Sequence, residues 1–150
     1  MKIIQSGIRD VKYGKNITVI SPVNIYECEI EDNVFIGPFV EIQKGCVIGQ
    51  GTRIQSHTFL CEDVSVGSYC FIGHNVTFAN DLFRSGAPDP SSSSWITITL
   101  GDNVTIGSGA TVLTPLIASG SVIGAGSVVI KDIKKKGIYA GNPARLIRLL

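Results

Sequence analysis

Large apolar residues recur at every sixth position: Ile30, Ile36, Ile42, Ile48, Ile54, Leu60, Val66, Ile72 and Phe78 form an unbroken series. Two residues before each stands a smaller or β-branched one, in the order Cys28, Val34, Val40, Cys46, Thr52, Thr58, Val64, Cys70 and Val76. Two inward positions per hexad, with turn-prone residues between, predict a short strand and a corner, repeated. Gly37, Gly49, Gly67 and Gly73 follow their large residues, where a corner or a close backbone approach suits a residue without Cβ. Three such strands close one triangular coil of about 18 residues, paired at ~4.8 Å with the coils above and below, so that the inward residues stack into one core. A β-sandwich would need turn signals every ~8–12 residues and longer strands of period two. The chain shows neither.

Upstream the series continues as Tyr13, Val19 and Ile25, with a one-residue deletion before Ile30; downstream it returns as Leu100, Ile106 and Val112, slips at Ile117, and resumes with Ile123 and Val129. Between Phe78 and Leu100 it breaks. The polar, aperiodic stretch from Asn80 to Trp95 predicts a loop expelled from the coil at about 80–96, either functional or simply a tolerated insertion. The tail at about 131–150 changes character, and Pro143 followed by Ala144-Arg145-Leu146-Ile147-Arg148-Leu149-Leu150 predicts a short C-terminal helix covering the last coil edge. The expected architecture is one all-β domain over residues 1–150, a parallel β-helix of hexapeptide repeats.

Composition fits that expectation: 150 residues, 44% hydrophobic against 17% charged, with 17 Gly, make one globular domain rich in turns. Thirteen Lys and Arg against twelve Asp and Glu give a net charge of +1, which is no footprint for a nucleic acid. The start, Met1 to Gly7, lacks the apolar run of a signal peptide, and no stretch approaches ~18 apolar residues. The expectation is a cytoplasmic protein without a membrane partner. Cys28, Cys46 and Cys70 fall in the small inward slot and Cys61 outside it, with no CxxC pair and no activating partner, so reduced, buried thiols without a nucleophilic role are expected. Balanced total charge conceals a basic end: Lys131, Lys134, Lys135, Lys136, Arg145 and Arg148 suit the phosphates of a small ligand, although the triple Lys equally reads as a solvated corner.

The hexads, the expelled loop, the run Ile123-Gly124-Ala125-Gly126-Ser127-Val128-Val129 and the ending Tyr139-Ala140-Gly141-Asn142-Pro143-Ala144-Arg145 resemble the left-handed β-helix acyltransferases. Within them, Ile54-Gln55-Ser56-His57-Thr58-Phe59 and Phe78-Ala79-Asn80-Asp81-Leu82-Phe83 are similar to N-acetyltransferases of nucleotide-linked amino sugars used for bacterial surface polysaccharide. That resemblance implies a left-handed coil, a homotrimer with active sites between neighbouring subunits, acetyl-CoA as donor running along the coils toward the C-terminus, and direct attack of a UDP- or dTDP-linked sugar amine on the thioester. It also implies contact between Asn80 and the reacting groups.

With about 18 residues per coil, Glu62 lies beneath Asn80, His57 beneath Asn75 and Ser56 beneath His74. Amide formation needs a neutral amine, an oxyanion donor and an oriented thioester. Glu62 or Asp81 can bind the ammonium and relay its proton, while Asn80 can bond the amine or the acyl oxygen; Asn80 and Asp81 also suit a turn. His57 and His74 point outward and are candidates for the base or for an interface. For the coenzyme, the small residues Gly107, Gly109, Ala110, Gly124, Ala125, Gly126 and Ser127 offer backbone to a pantetheine arm, and Lys131, Asn142 and Arg145 offer contacts at the chain end, Arg145 above all. The same glycines also serve as corners. Two other functions fit the chain less well: a γ-type carbonic anhydrase needs three His ligands where the chain has two His in all, and a non-catalytic β-helix scaffold would leave the loop and the ending without purpose. No metal is expected.

Overall fold

The computed structural model describes residues 1–150, and it is all strand and corner with no helix. The strands form three parallel walls. Wall A stacks Ile8–Arg9, Asn24–Tyr26, Glu41–Ile42, Phe59–Leu60, Thr77–Phe78, Thr111–Val112 and Val128–Val129. Wall B stacks Lys12–Tyr13, Glu29–Ile30, Val47–Ile48, Val64–Val66, Ile98–Leu100 and Leu116–Ile117, and wall C runs from Thr18–Val19 through Phe35–Ile36, Arg53–Ile54, Phe71–Ile72, Thr105–Ile106 and Val122–Ile123 to a terminal hairpin. Every pairing between coils is parallel, as the repeat requires of a chain that always climbs in one direction.

The coil arithmetic holds. Phe35 pairs with Arg53 and Arg53 with Phe71, a spacing of 18, whereas Ile8 pairs with Ile25 and Thr105 with Val122, a spacing of 17, at the predicted deletion and slip. Both inward positions of the hexad are buried: Ile36, Ile42, Ile48, Ile54, Leu60 and Ile72 are fully enclosed, and Val34, Val40, Cys46, Thr52 and Cys70 line the slot beside them. Coils this close leave no room for a side chain at certain corners. A Cβ on Gly49 would lie 2.5 Å from the Gly67 carbonyl carbon, so a bare residue is required there.

Cys61, outside the regular slot, is buried with the other three thiols, as expected, and the Cys46 thiol donates to its carbonyl at 3.1 Å. One feature departs from expectation. The C-terminal helix does not form. Gly137–Ala140 pairs with Val122–Ile123 and continues wall C, and Arg145–Leu149 folds back on it as an antiparallel strand. The physical reason is the open sheet edge: the backbone groups of the last coil need strand partners, and this outweighs the helical preference of seven residues that are too few to hold a helix alone. No helix of the structure is long and apolar enough to cross a membrane.

Candidate functional site

The expelled segment leaves wall A after Phe78 and re-enters wall B at Ile98. Asn80 clamps its base. The Asn80 amide nitrogen donates to the Glu62 carbonyl at 3.3 Å, and the Asn80 carbonyl accepts the Ile96 amide at 3.0 Å. Asn80 is therefore over Glu62 as the coil spacing predicts, and it is buried. Asp81 organises the loop from within, its Oδ1 accepting the Phe83 amide at 2.9 Å and its Oδ2 the Asp89 amide at 2.8 Å. Asp89 is caged in turn by the amides and hydroxyls of Ser91 and Ser94 and the hydroxyl of Ser93, which hold its carboxyl below the usual carboxylate range.

His57 and His74 lie on another edge. The wall A to wall B corner carries Glu62, Asn80 and Asp81, whereas both His sit at the wall C to wall A corner, one side of the triangle away. Such a side spans roughly 15 Å at strand rise. One chain therefore presents two separate groups of candidates. His74 Nδ1 lies 2.9 Å from Ser56 Oγ, as the stacking predicts, and the tautomer whose Nδ1–H donates to Ser56 leaves Nε2 as the open lone pair. His57 packs against the Phe39 ring, with centroids 4.7 Å apart.

The small residues separate into two kinds. Gly107, Gly109, Gly124, Ala125 and Gly126 form the same C–A corner beyond His74, with Gly109 accepted by the His74 carbonyl and Gly126 by that of Ser108. No atom lies within 4 Å of where a Cβ on Gly126 would stand, and only the Gly126 nitrogen, at 4.0 Å, approaches that of Gly109, whereas Gly107 and Gly124 pack against Ala125 and Ala140, so the open backbone of this lane lies at Gly109 and Gly126. The lane ends at Gly141 and Asn142, where the Gly141 amide donates to Ser127 Oγ at 3.1 Å. Ala110 and Ser127, by contrast, are fully buried with side chains in the core slot, and they offer a ligand no side-chain contact. Lys131 and Arg145 are brought together, lining one cavity of about 260 Å³ with Asp132 and Tyr139 at the C-terminal end of the coil.

Sequence reasoning missed an outward group on wall A. Tyr26, Glu41 and Gln43 face away from the core beside Glu62; Gln43 Nε2 donates to Glu41 Oε1 at 2.8 Å, and burial, with the Glu41 and Glu62 charges, raises the Tyr26 phenol above its ordinary value. The available signal was their place at outward hexad positions two and three coils below the loop. All four thiols are free and buried. Burial pushes Cys28 up to about 11 and Cys46 and Cys61 up to about 12, which makes each a poor nucleophile. No three His, Cys, Asp or Glu side chains are grouped to hold a metal ion.

A three-walled parallel β-helix with an expelled loop and a backbone lane defines the class. Residues 27–61 match the family described as bacterial transferase hexapeptide (six repeats). The chain is 32% identical over 124 residues to a candidate acetyltransferase of Saccharomyces cerevisiae, covering 82% of this chain and 59% of that protein. It is 37% identical over 111 residues to the serine acetyltransferase of Synechococcus elongatus, covering 72% and 42%. The chain thus spans between about two-fifths and three-fifths of these curated relatives. The same fold occurs in a hexapeptide-repeat acetyltransferase of Vibrio cholerae solved with acetyl coenzyme A, at a TM-score of 0.61 and 22% identity over 85% of this chain and 70% of that one. It occurs again in AntD, an N-acyltransferase of Bacillus cereus solved as a point mutant with dTDP and coenzyme A, at a TM-score of 0.60 and 20% identity over 92% and 83%.

Proposed function

We propose that the protein is an acetyl-CoA-dependent N-acetyltransferase whose acceptor is the amine of a nucleotide-linked sugar. The observation that carries this is the C–A corner: open backbone at Gly109 and Gly126 forms a lane that leads from Asn142 to the Ser56–His74 pair. Such a lane suits the thin pantetheine arm, with its amide groups against backbone, and leads the thioester to a histidine. Lys131 and Arg145, beyond the end of the lane, suit the coenzyme's phosphates. The relatives named acetyltransferases and the fold shared with proteins solved with acetyl-CoA or CoA support the donor, and the dTDP in AntD supports a nucleotide on the acceptor.

The two separated groups of candidates meet if the molecule is a homotrimer, because the C–A corner of one subunit can face the A–B corner of the next. Glu62 or Asp81 then binds the ammonium and relays one of its protons to solvent, and the neutral amine adds to the thioester carbon as His74 Nε2 takes the second proton. Asn80 orients the amine or the developing oxyanion. Collapse of the tetrahedral adduct breaks the C–S bond, and the thiolate leaves as coenzyme A with the proton held by the enzyme.

Acetyl-CoA is expected to raise Tm, and free thiol to appear when UDP- or dTDP-linked 3-amino or 4-amino sugars are added. Serine is the decisive control: thiol release with serine and none of the sugars would replace this acceptor by that of the serine acetyltransferases. Absence of any stabilisation by acetyl-CoA would leave a non-catalytic β-helix.

A further inference from the structure

The corner position between walls C and A places the chain in the left-handed backbone region, where Gly and Asn are favoured because a larger side chain crowds the carbonyl. Asn75, Gly109 and Gly126 follow that rule. Phe39 and His57 break it, at φ 61° and 63°, on consecutive coils of the same edge. Tyr69 and Glu27 take the same backbone region at other corners, so what sets this edge apart is the pair of rings. Within one subunit both are exposed, Phe39 at 56%. Their rings are in contact, with centroids 4.7 Å apart and planes tilted by 30°, and they present an aromatic surface on that edge.

The same edge changes character over one residue. Below Asn75 it carries two rings; above Asn75 it is the bare lane. A linear arm needs the bare half, whereas an apolar ring surface suits the C–H face of a ring-shaped molecule. The boundary lies beside His74, so what rests on the rings is adjacent to the end of the arm.

We infer that Phe39 and His57 form a ledge for the sugar ring of the acceptor and make the site selective for cyclic amines over open-chain ones such as serine. The inference rests on the amino-sugar acetyltransferase reading above. Placing the residue favoured by the corner at position 39 separates binding from folding. Phe39→Asn is expected to keep or raise Tm, to leave the oligomeric mass and the KM for acetyl-CoA unchanged, and to raise the KM for the best UDP- or dTDP-linked amino sugar about tenfold. Phe39→Tyr should restore that KM. An unchanged sugar KM in Phe39→Asn overturns the ledge alone, and so does a drop in oligomeric mass with a lower Tm, which would assign the rings to a subunit interface. A wild-type protein that acetylates serine but no amino sugar overturns the reading beneath it instead.

Discussion

Ser121 stands in a column of inward residues, Thr52, Cys70, Val104 and Ser121, on successive coils. Thr52 donates to the Gly67 carbonyl and Cys70 to that of Gly101, but the Ser121 hydroxyl is fully buried with no partner. An orphaned hydroxyl costs about 1–3 kcal/mol. Ser121→Cys, a close match in volume with a precedent in the same column, should therefore stabilise the fold by about 1 kcal/mol in urea unfolding. The thiols make a second prediction. Burial raises all four pKa values, to about 11 for Cys28 and about 12 for Cys46 and Cys61, while unfolded thiols ionise from about pH 8.5. Above that pH the unfolded chain releases protons that the folded one retains, so unfolding becomes easier. Stability should be level up to about pH 8 and fall between about pH 9 and 12, and a fourfold Cys→Ala or Cys→Ser variant, if it folds, should lose that slope. The slot position of Cys28, Cys46 and Cys70 was legible in the hexad, and burial of all four thiols was expected; what encloses Cys61, outside the slot, could not be read from the period.

Among the elements, corners and loop obey different constraints. Gly49→Ala drives a methyl into the Gly67 backbone and should destabilise by about 1–3 kcal/mol, whereas most exposed corner substitutions should be neutral. The loop depends on carboxylates instead. Asp81 accepts two backbone amides and Asp89 accepts five hydrogen bonds from Ser91, Ser93 and Ser94. Because that cage depresses the Asp89 pKa, its contribution is full at neutral pH and is lost progressively as pH falls below the ordinary Asp value. Asp89→Ala should leave Tm within a degree or two while speeding protease cleavage inside 81–96 several-fold. Strands and corners could be located from the sequence because six-residue spacing and stacking are one constraint. The terminal strand could not: Ala144-Arg145-Leu146-Ile147 suits a helix locally, and only the unpaired edge of Gly137–Ala140 makes it a strand.

For the whole molecule, the register was arithmetic but the assembled site was not. Spacing placed Asn80 over Glu62 and Ser56 under His74, and both contacts occur. That these pairs lie on different edges follows from the triangular cross-section, and joining them requires a second subunit. Sedimentation at micromolar concentration should give a mass of three 16.0 kDa chains, and Asn80→Ala should lower kcat far more than it lowers Tm if the A–B corner meets the acceptor.

The stacking is indifferent to what is inserted at one corner. Val64 pairs with Ile98 as neatly as Val47 pairs with Ser65, although the first spacing is 34 and the second 18. Sixteen extra residues are thus carried outside the repeat with their ends held together by Asn80 and Ile96. Loop and solenoid can consequently vary on separate terms: a lineage can exchange the segment while the stacked scaffold keeps its stability, and an engineer can do the same by grafting between those two residues.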